Sequence, residues 1–139
     1  MESVWSAVIG QDSTVSQLRT TLEHPVHAYL FVGPHGSTKE QAARAAAAVM
    51  ISGGDDPNDR DARLVMTGEH PDCREVEREG ASINVDQAQW IIEQSWLSPT
   101  EGDITVLILH DFHLIAEAAA AKLLKTIEEP PASTRFIIV

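Results

Sequence analysis

Apolar residues follow two patterns along the chain, short continuous runs and longer stretches with helical spacing. The continuous runs, which are typical of strands buried on both faces of a sheet, cover residues 28–32, 104–109 and 135–139. The stretches with apolar residues three and four positions apart predict helices at residues 13–22, 41–51, 86–97 and 116–128. Shorter segments predict a helix at 62–66 and a strand at 73–76. Strands that alternate with helices predict an α/β fold with a parallel sheet and right-handed crossovers.

The predicted helices have apolar faces that indicate which side chains enter the core. These faces consist of Ala88, Ile91, Ile92 and Trp96 in the third helix, and of Ala120, Leu123, Leu124 and Ile127 in the last. Asp86 with Gln89 resembles a capping box at the start of the third helix. Trp90 lies off the apolar face, so contact with a partner or a neighbouring element stays open for it, although core packing is favoured.

Two polar segments lie between these elements. One is a candidate loop, and the other contains candidate metal ligands. Residues 52–61 combine Gly, Pro and Asp without periodicity and predict an exposed loop. His70, Asp72 and Cys73 carry atoms that bind metals, but no other ligand lies nearby with suitable spacing. A loop that leads into a strand is therefore favoured over a metal site.

Composition places limits on the classes of function. A chain of 139 residues with 43% hydrophobic residues is expected to form one globular domain. The net charge of −11 argues against direct binding of a nucleic-acid backbone, because phosphate contacts need clustered Lys and Arg. One cysteine excludes an internal disulfide and suits the cytoplasm, and no apolar run reaches the length of a membrane span.

The first apolar run leads into a glycine-bearing loop and then a helix with an early lysine. This layout predicts a phosphate-binding P-loop, in which backbone N–H groups and the helix N-terminus face an anion. Gly33 and Lys39 fit the P-loop pattern, with Pro34 and Gly36 inside the loop. However, Thr38 occupies the second glycine position, where a branched side chain hinders close approach of phosphate.

Glu40 stands where the P-loop pattern has a hydroxyl that binds Mg²⁺. A carboxylate about 4 Å from one phosphate charge opposes binding by roughly 1 kcal/mol in water, and by about 4 kcal/mol at an effective dielectric constant near 20. The segment is therefore interpreted as a degenerate P-loop, with the shape of the cradle but without its chemistry.

Several segments, in unbroken order, resemble motifs of bacterial clamp-loader subunits, which are AAA+ proteins of DNA polymerase III. These segments are residues 27–36, 70–72, 83–87, 99–102 and 119–131. The last is the most specific, and its signature residues are Leu123, Leu124, Lys125, Glu128, Glu129 and Pro130. The resemblance implies a three-layer P-loop NTPase fold with a parallel sheet flanked by helices, truncated before the last core strand, the lid and the collar.

The resemblance also has implications for domain organisation and metals. Residues 1–139 are expected to be one incomplete AAA+ domain. Relatives commonly carry a four-cysteine zinc module near residues 52–61, but this region has no cysteine, so zinc is not expected. The family's arginine-finger motif would lie beyond Val139.

A second element of the ATPase site also departs from the family pattern. Active subunits carry Asp-Glu at the Walker B position, where the Asp supports Mg²⁺ and the Glu orients water; here His110 and Asp111 stand there. With both elements degenerate, no catalytic residue and no ATP-Mg cofactor are expected. The resemblance then favours the delta-prime branch, a non-hydrolysing stator. Its implied partners are gamma/tau and delta subunits, with the sliding clamp and primer-template DNA reached only through the assembled complex.

Two alternatives remain open. Lys39 supports an ATP-hydrolysing motor subunit of the gamma/tau kind, or another AAA+ ATPase, although a surface lysine at a helix start is the simpler interpretation. An unrelated α/β binding module is the third possibility. Lys122, Lys125, Glu128 and Glu129 form a charged face on the last helix that fits a solvated surface as well as an interface, and no DNA contact is assigned to it.

Overall fold

A four-stranded parallel sheet organises the chain. The computed structural model describes residues 3–8, 12–23, 26–31 and 38–139. The described strands are β1 (Ala28–Leu30), β2 (Cys73–Val76), β3 (Thr105–Leu109) and β4 (Thr134–Ile138). The described helices are α1 (Asp12–Leu22), α2 (Lys39–Ser52), α3 (Arg60–Met66), α4 (Val85–Ser95) and α5 (Glu117–Glu128), with 3-10 turns at Val4–Ala7 and Phe112–Leu114.

The strand order is β1-β4-β3-β2, and all pairs are parallel. Successive residues of β3 face opposite sides of the sheet. Val106 and Ile108 pack with the side of α2 and α3, whereas Leu107 and Leu109 pack with the side of α4 and α5. The architecture is therefore a three-layer α/β fold. The hydrophobic pattern predicted its parallel sheet, and the family resemblance implied its three layers.

The central strand and its neighbours confirm the strand predictions. All five residues of β3 are buried, and β2 has the predicted bounds. The first predicted strand is shorter in the structure because β1 ends at Leu30, and the predicted end at Val32 lies outside the described residues.

Helix α2 approaches the sheet closely because its buried positions are alanines. The buried residues are Ala42, Ala43, Ala45, Ala46, Ala47 and Ala48. Small side chains let the helix backbone come near the strands without a cavity. The helix ends at Gly53, which adopts φ 83° and donates its N–H to the carbonyl oxygen of Val49, a left-handed cap that glycine adopts without steric cost.

The loop predicted at 52–61 is shorter than expected, since α2 extends to Ser52 and α3 begins at Arg60. Asp59 caps α3, and its side chain accepts hydrogen bonds from the N–H groups of Asp61 and Ala62. This cap satisfies donors that a helix start otherwise leaves unpaired.

Helix α4 begins and ends differently from the prediction. Asn84, rather than Asp86, is its cap, and the Asn84 side chain accepts from the N–H of Gln87. The predicted burial of Trp96 is wrong, because the helix ends at Ser95 and the Trp96 side chain is 67% exposed. The Thr134 hydroxyl donates to the carbonyl oxygen of Ser95, which ties this helix end to the start of β4.

Helix α5 buries a narrower face than predicted. Its buried residues are Ala119, Leu123 and Ile127, spaced four residues apart on one stripe. The predicted burial of Leu124 is wrong: it lies about 100° around the helix from Leu123, and its side chain is 47% exposed. Within the described residues, every helix is too short or too polar to cross a bilayer.

The contrast between Leu123 and Leu124 gives a matched test of the fold. Leu123→Ala should lower the free energy of unfolding by about 2 to 5 kcal/mol, because it opens a cavity under α5. Leu124→Ala removes the same atoms from an exposed position, and its effect should stay within about 0.5 kcal/mol. Urea denaturation of both variants measures the difference. Equal losses would contradict the placement of α5.

Candidate functional site

The start of α2 carries the part of the expected P-loop that the structure describes. Gly33, Pro34 and Gly36 lie outside the described residues. Thr38 is the N-cap of α2, and Lys39 and Glu40 are its first two residues, all partly buried. A carboxylate in the first helical turn is stabilised by the helix dipole. Glu40 therefore occupies the positive helix end to which a phosphate would bind.

His110 lies directly after β3, at the position expected to correspond to Walker B. The residue is buried, and its backbone N–H donates to the carbonyl oxygen of Val76. Its ring atom Nε2 lies 2.8 Å from Oε1 of Glu75, on the neighbouring strand β2. An ionised carboxylate only accepts hydrogen bonds, so Nε2 carries the proton and donates it.

The carboxylate of Glu75 has a second partner on α2. Arg44 donates to both of its oxygens, from Nε at 2.8 Å and from Nη2 at 3.0 Å. Two parallel bonds of this kind are among the stronger charge-assisted contacts in proteins. Arg44, Glu75 and His110, hereafter the Glu75 cluster, therefore join α2 to the ends of β2 and β3.

The Glu75 cluster shifts the pKa values of its members. Burial raises the pKa of Glu75, but hydrogen bonds from His110 and Arg44 outweigh burial and lower it to about 2. The hydrogen bond to Glu75 raises the pKa of Arg44. Glu75 is thus held as an anion, and both of its oxygens are engaged by the protein's own donors.

Asp111, the second residue of the expected Walker B pair, is also engaged. It adopts φ 55°, a left-handed conformation that Asp tolerates better than most residues, and it precedes the 3-10 turn Phe112–Leu114. Its Oδ2 lies 3.4 Å from Nε of Arg78. Both side chains are partly exposed, so this ion pair contributes little to the stability of the fold. Its main effect is to orient the Asp111 side chain.

Asp72 connects the segment before β2 to the turn before β3. Its buried carboxylate accepts hydrogen bonds from the backbone N–H groups of Thr100, Glu101 and Gly102. Burial raises the pKa of Asp72, but these three bonds outweigh burial and hold it below its ordinary value. The sequence marked 70–72 and 99–102 as family motifs, and His70 and Asp72 also as candidate metal ligands, but it did not predict a contact between the two segments. In the structure, Asp72 holds the turn at 100–102 in place.

The residues considered for a metal site have other roles. Burial raises the pKa of the Cys73 thiol to about 12, which disfavours the thiolate that metals bind. His70 accepts the N–H of Asp72 at Nδ1, and its Nε2 lies 3.0 Å from Oδ1 of Asp61. The ring is therefore protonated at Nε2, where a metal would have to bind.

Asp61, His70 and Glu101 bring donor atoms within 4.8 Å of one another. However, Nη1 of Arg60 lies 3.1 Å from the Asp61 carboxylate and 2.8 Å from that of Glu101. The guanidinium of Arg60 is thus paired with both acids. With His70 protonated at Nε2, the arrangement suits an ion pair better than a cation site.

The family-signature residues in α5 and directly after it lie partly in the core and partly on the surface. Leu123 is buried, whereas Leu124, Lys125, Glu128 and Glu129 are exposed and Pro130 is partly buried. Lys122 is exposed as well. The exposed members of the signature are available for contacts outside the domain, and Leu123 serves packing.

Comparisons with known proteins agree with this fold. A family model described as DNA polymerase III, delta subunit matches residues 10–139. The delta' subunit of DNA polymerase III from Bacillus subtilis is 32% identical over 117 residues, which cover 81% of this chain and 36% of that protein. The tau subunit from the same organism is 33% identical over 139 residues, covering 94% of this chain and 24% of that protein.

A solved structure has the same fold. The gamma subunit-related protein of Thermotoga maritima superposes with a TM-score of 0.61 at 20% sequence identity, covering 89% of this chain and 38% of that one. This similarity supports the α/β fold, with a parallel sheet flanked by helices. The chain spans about a third of the delta' relative and about a quarter of the tau relative.

The Glu75 cluster predicts a pH dependence of stability. At pH 7, Glu75→Gln should lower the free energy of unfolding by about 1 to 3 kcal/mol, because Arg44 and His110 lose their anionic partner. The folded-state pKa of about 2 lies below the ordinary value of 4.5. The stabilisation is therefore full above about pH 4.5 and is lost as the pH falls towards 2.

Urea unfolding of the wild type and of Glu75→Gln between pH 7 and pH 3 measures this dependence. The difference between the two proteins should shrink below pH 4.5. Glu69→Gln is the control: Glu69 is exposed, and its carboxylate has no ion pair within the described part of the chain. A difference for Glu75→Gln that stays constant with pH would contradict the assignment.

Proposed function

The chain belongs to the DNA polymerase III delta-subunit family, and we propose that it acts as a non-hydrolysing, delta-prime-like stator of a clamp loader. In this role it assembles with ATPase subunits that load the sliding clamp on primed DNA. It provides a fixed surface against which those subunits move. Its own nucleotide cradle serves as scaffolding.

The arrangement around His110 carries the proposal. Magnesium binds hard oxygen ligands, whereas the expected Walker B position presents an imidazole whose Nε2 proton is donated to Glu75. The oxygens of Glu75 are engaged by Arg44 and His110. A metal ion at this edge of the sheet would have to break an ion pair before it gained a ligand.

Two residues at the start of α2 support the same conclusion. Thr38 occupies the place of a P-loop glycine, and Glu40 that of the hydroxyl that binds Mg²⁺. Glu40 also places negative charge at the helix N-terminus, the position that attracts phosphate in active P-loops. The P-loop and Walker B elements thus depart from the ATPase pattern independently of each other.

Partners follow from the proposed role. Relatives of this chain include subunits named delta' and tau, and we propose gamma/tau and delta subunits as direct partners in the cytoplasm. With a net charge of −11, this domain is a poor ligand for phosphate backbones. The sliding clamp and primer-template DNA are therefore reached through the assembled complex. The proposed role needs neither zinc nor ATP-Mg at this domain.

One observation favours a second candidate, an ATP-hydrolysing motor subunit. The tau relative is as similar to this chain as the delta' relative, and Lys39 is the first residue of α2, where a P-loop lysine stands. Nucleotide affinity separates the candidates, because a motor subunit must bind ATP-Mg tightly enough to turn it over.

Isothermal titration calorimetry tests the stator proposal on the chain itself. Titration with ATP-Mg²⁺ should give no saturable heat at millimolar nucleotide, because His110 stands at the expected metal position and Thr38 and Glu40 replace the P-loop glycine and hydroxyl. A gamma/tau subunit with an intact P-loop, measured under the same conditions, is the positive control. A dissociation constant in the micromolar range would favour the motor subunit instead.

Assembly is the second test. When the chain is co-expressed within its full-length protein together with gamma/tau and delta subunits, the three should co-purify through affinity and size-exclusion chromatography. Recovery of gamma/tau with delta alone, at equal expression levels, would argue against membership of the ring.

A further inference from the structure

A pocket at the carboxyl end of β2 adjoins the Glu75 cluster, but neither His110 nor Asp111 lines it. It has a volume of about 430 Å³ and lies between the segment that follows β2 and the first turns of α4. The residues that determine its chemistry are Glu75, Glu77, Glu79, Asp86, Gln87 and Trp90. Four of these six residues are acidic, and none is basic.

The charges of this pocket are mostly uncompensated. Glu75 is paired with Arg44 and His110. Within the described part of the chain, the carboxylates of Glu77, Glu79 and Asp86 make no ion pair. Arg78, which lies between the two glutamates, binds Asp111 and the carbonyl oxygen of Gly80 instead. The pocket therefore favours a cation.

Gln87 provides an independent indication of the ligand. Its side chain lines the pocket, and the residue is 8% exposed. The amide nitrogen donates to the carbonyl oxygen of Glu77, whereas the amide oxygen Oε1 accepts no hydrogen bond from any described residue. Buried acceptors without a donor are rare and costly, so a ligand with N–H groups suits this side of the pocket.

Trp90 adds an aromatic wall. Its side chain is 43% exposed although its neighbours Ala88 and Ile91 are fully buried. The face of an indole ring attracts cations, and a planar guanidinium stacks on it more readily than a compact ammonium group. The question that the sequence left open for Trp90 is thus answered in favour of a surface role.

We infer that this pocket binds an arginine side chain presented by a protein partner. The guanidinium stacks on Trp90 and donates hydrogen bonds to Gln87 and to the carboxylates of Glu77, Glu79 and Asp86. Five N–H donors in one plane match the several carboxylates that line the site. Nucleic acid is disfavoured because its phosphates would meet unpaired carboxylates.

The inference that the pocket binds a guanidinium does not depend on the stator proposal. The inference that another clamp-loader subunit carries this guanidinium does rest on that proposal. The two are tested separately. The pocket is probed on the isolated chain with a short peptide, and assembly is probed by co-purification. Failure of one experiment leaves the interpretation of the other intact.

The probe is the peptide acetyl-Gly-Gly-Arg-Gly-Gly-amide, titrated into ¹⁵N-labelled protein while the indole N–H signals are followed by NMR. The signal of Trp90, assigned with Trp90→Phe, should shift saturably, whereas those of Trp5 and Trp96 stay in place. A peptide with citrulline instead of arginine has nearly the same shape without charge and should bind much more weakly. Added salt should weaken the arginine peptide's binding.

Charge-matched variants locate the site. Glu77→Gln with Glu79→Gln should weaken arginine-peptide binding by about fivefold to tenfold. The control, Glu23→Gln with Glu69→Gln, changes two exposed glutamates outside the pocket by the same charge and should leave affinity unchanged. Equal weakening by both pairs, equal binding of the citrulline peptide, or a stationary Trp90 signal would overturn the inference. So would tighter binding of a single-stranded oligonucleotide at Trp90.

Discussion

The carboxylate of Glu75, held between Arg44 and His110, is the interaction on which the interpretation of this domain depends. It links a helix of one layer to two adjacent strands at the carboxyl edge of the sheet. In P-loop NTPases this edge holds phosphate and metal, because helix N-termini and strand ends converge there. In this chain Glu75 joins α2 to the ends of β2 and β3 at that edge. This ion pair is the observation on which the proposed loss of metal binding rests.

A second carboxylate, that of Asp72, is held by hydrogen bonds at the amino end of β2. Asp72 precedes β2 and accepts three backbone N–H groups from the turn that precedes β3. A carboxylate with three such donors is held as an anion and fixes the turn that leads into the central strand. The two acids therefore act at the two ends of β2 and β3. Their hydrogen bonds account for the burial of Asp72 and His110 at the ends of these strands.

The sequence predicted those features that depend on local periodicity. The all-buried strand β3 and the helices were predictable because neighbouring residues determine them. The burial of Leu124 and Trp96 was predicted wrongly, since neither the width of a buried stripe nor the residue at which a helix ends follows from spacing alone. The Glu75 cluster and the Asp72 turn were not predicted, because each joins segments distant in the chain. The acidic pocket beside Trp90 is built from residues 75–90 alone, but its shape depends on how the segment after β2 folds back towards α4, which spacing does not predict.

Paramagnetic NMR with Mn²⁺ and ATP tests most directly whether the ion pair at His110 has replaced a metal site. Mn²⁺ is a paramagnetic ion that binds the same oxygen ligands as Mg²⁺, and it broadens the signals of nuclei close to it. The closed ion pair predicts that the imidazole signals of His110 and the amide signal of Lys39 keep their line widths with equimolar Mn²⁺-ATP. Selective, saturable broadening of both signals would contradict the account, because it would place a bound metal-nucleotide complex at this edge of the sheet.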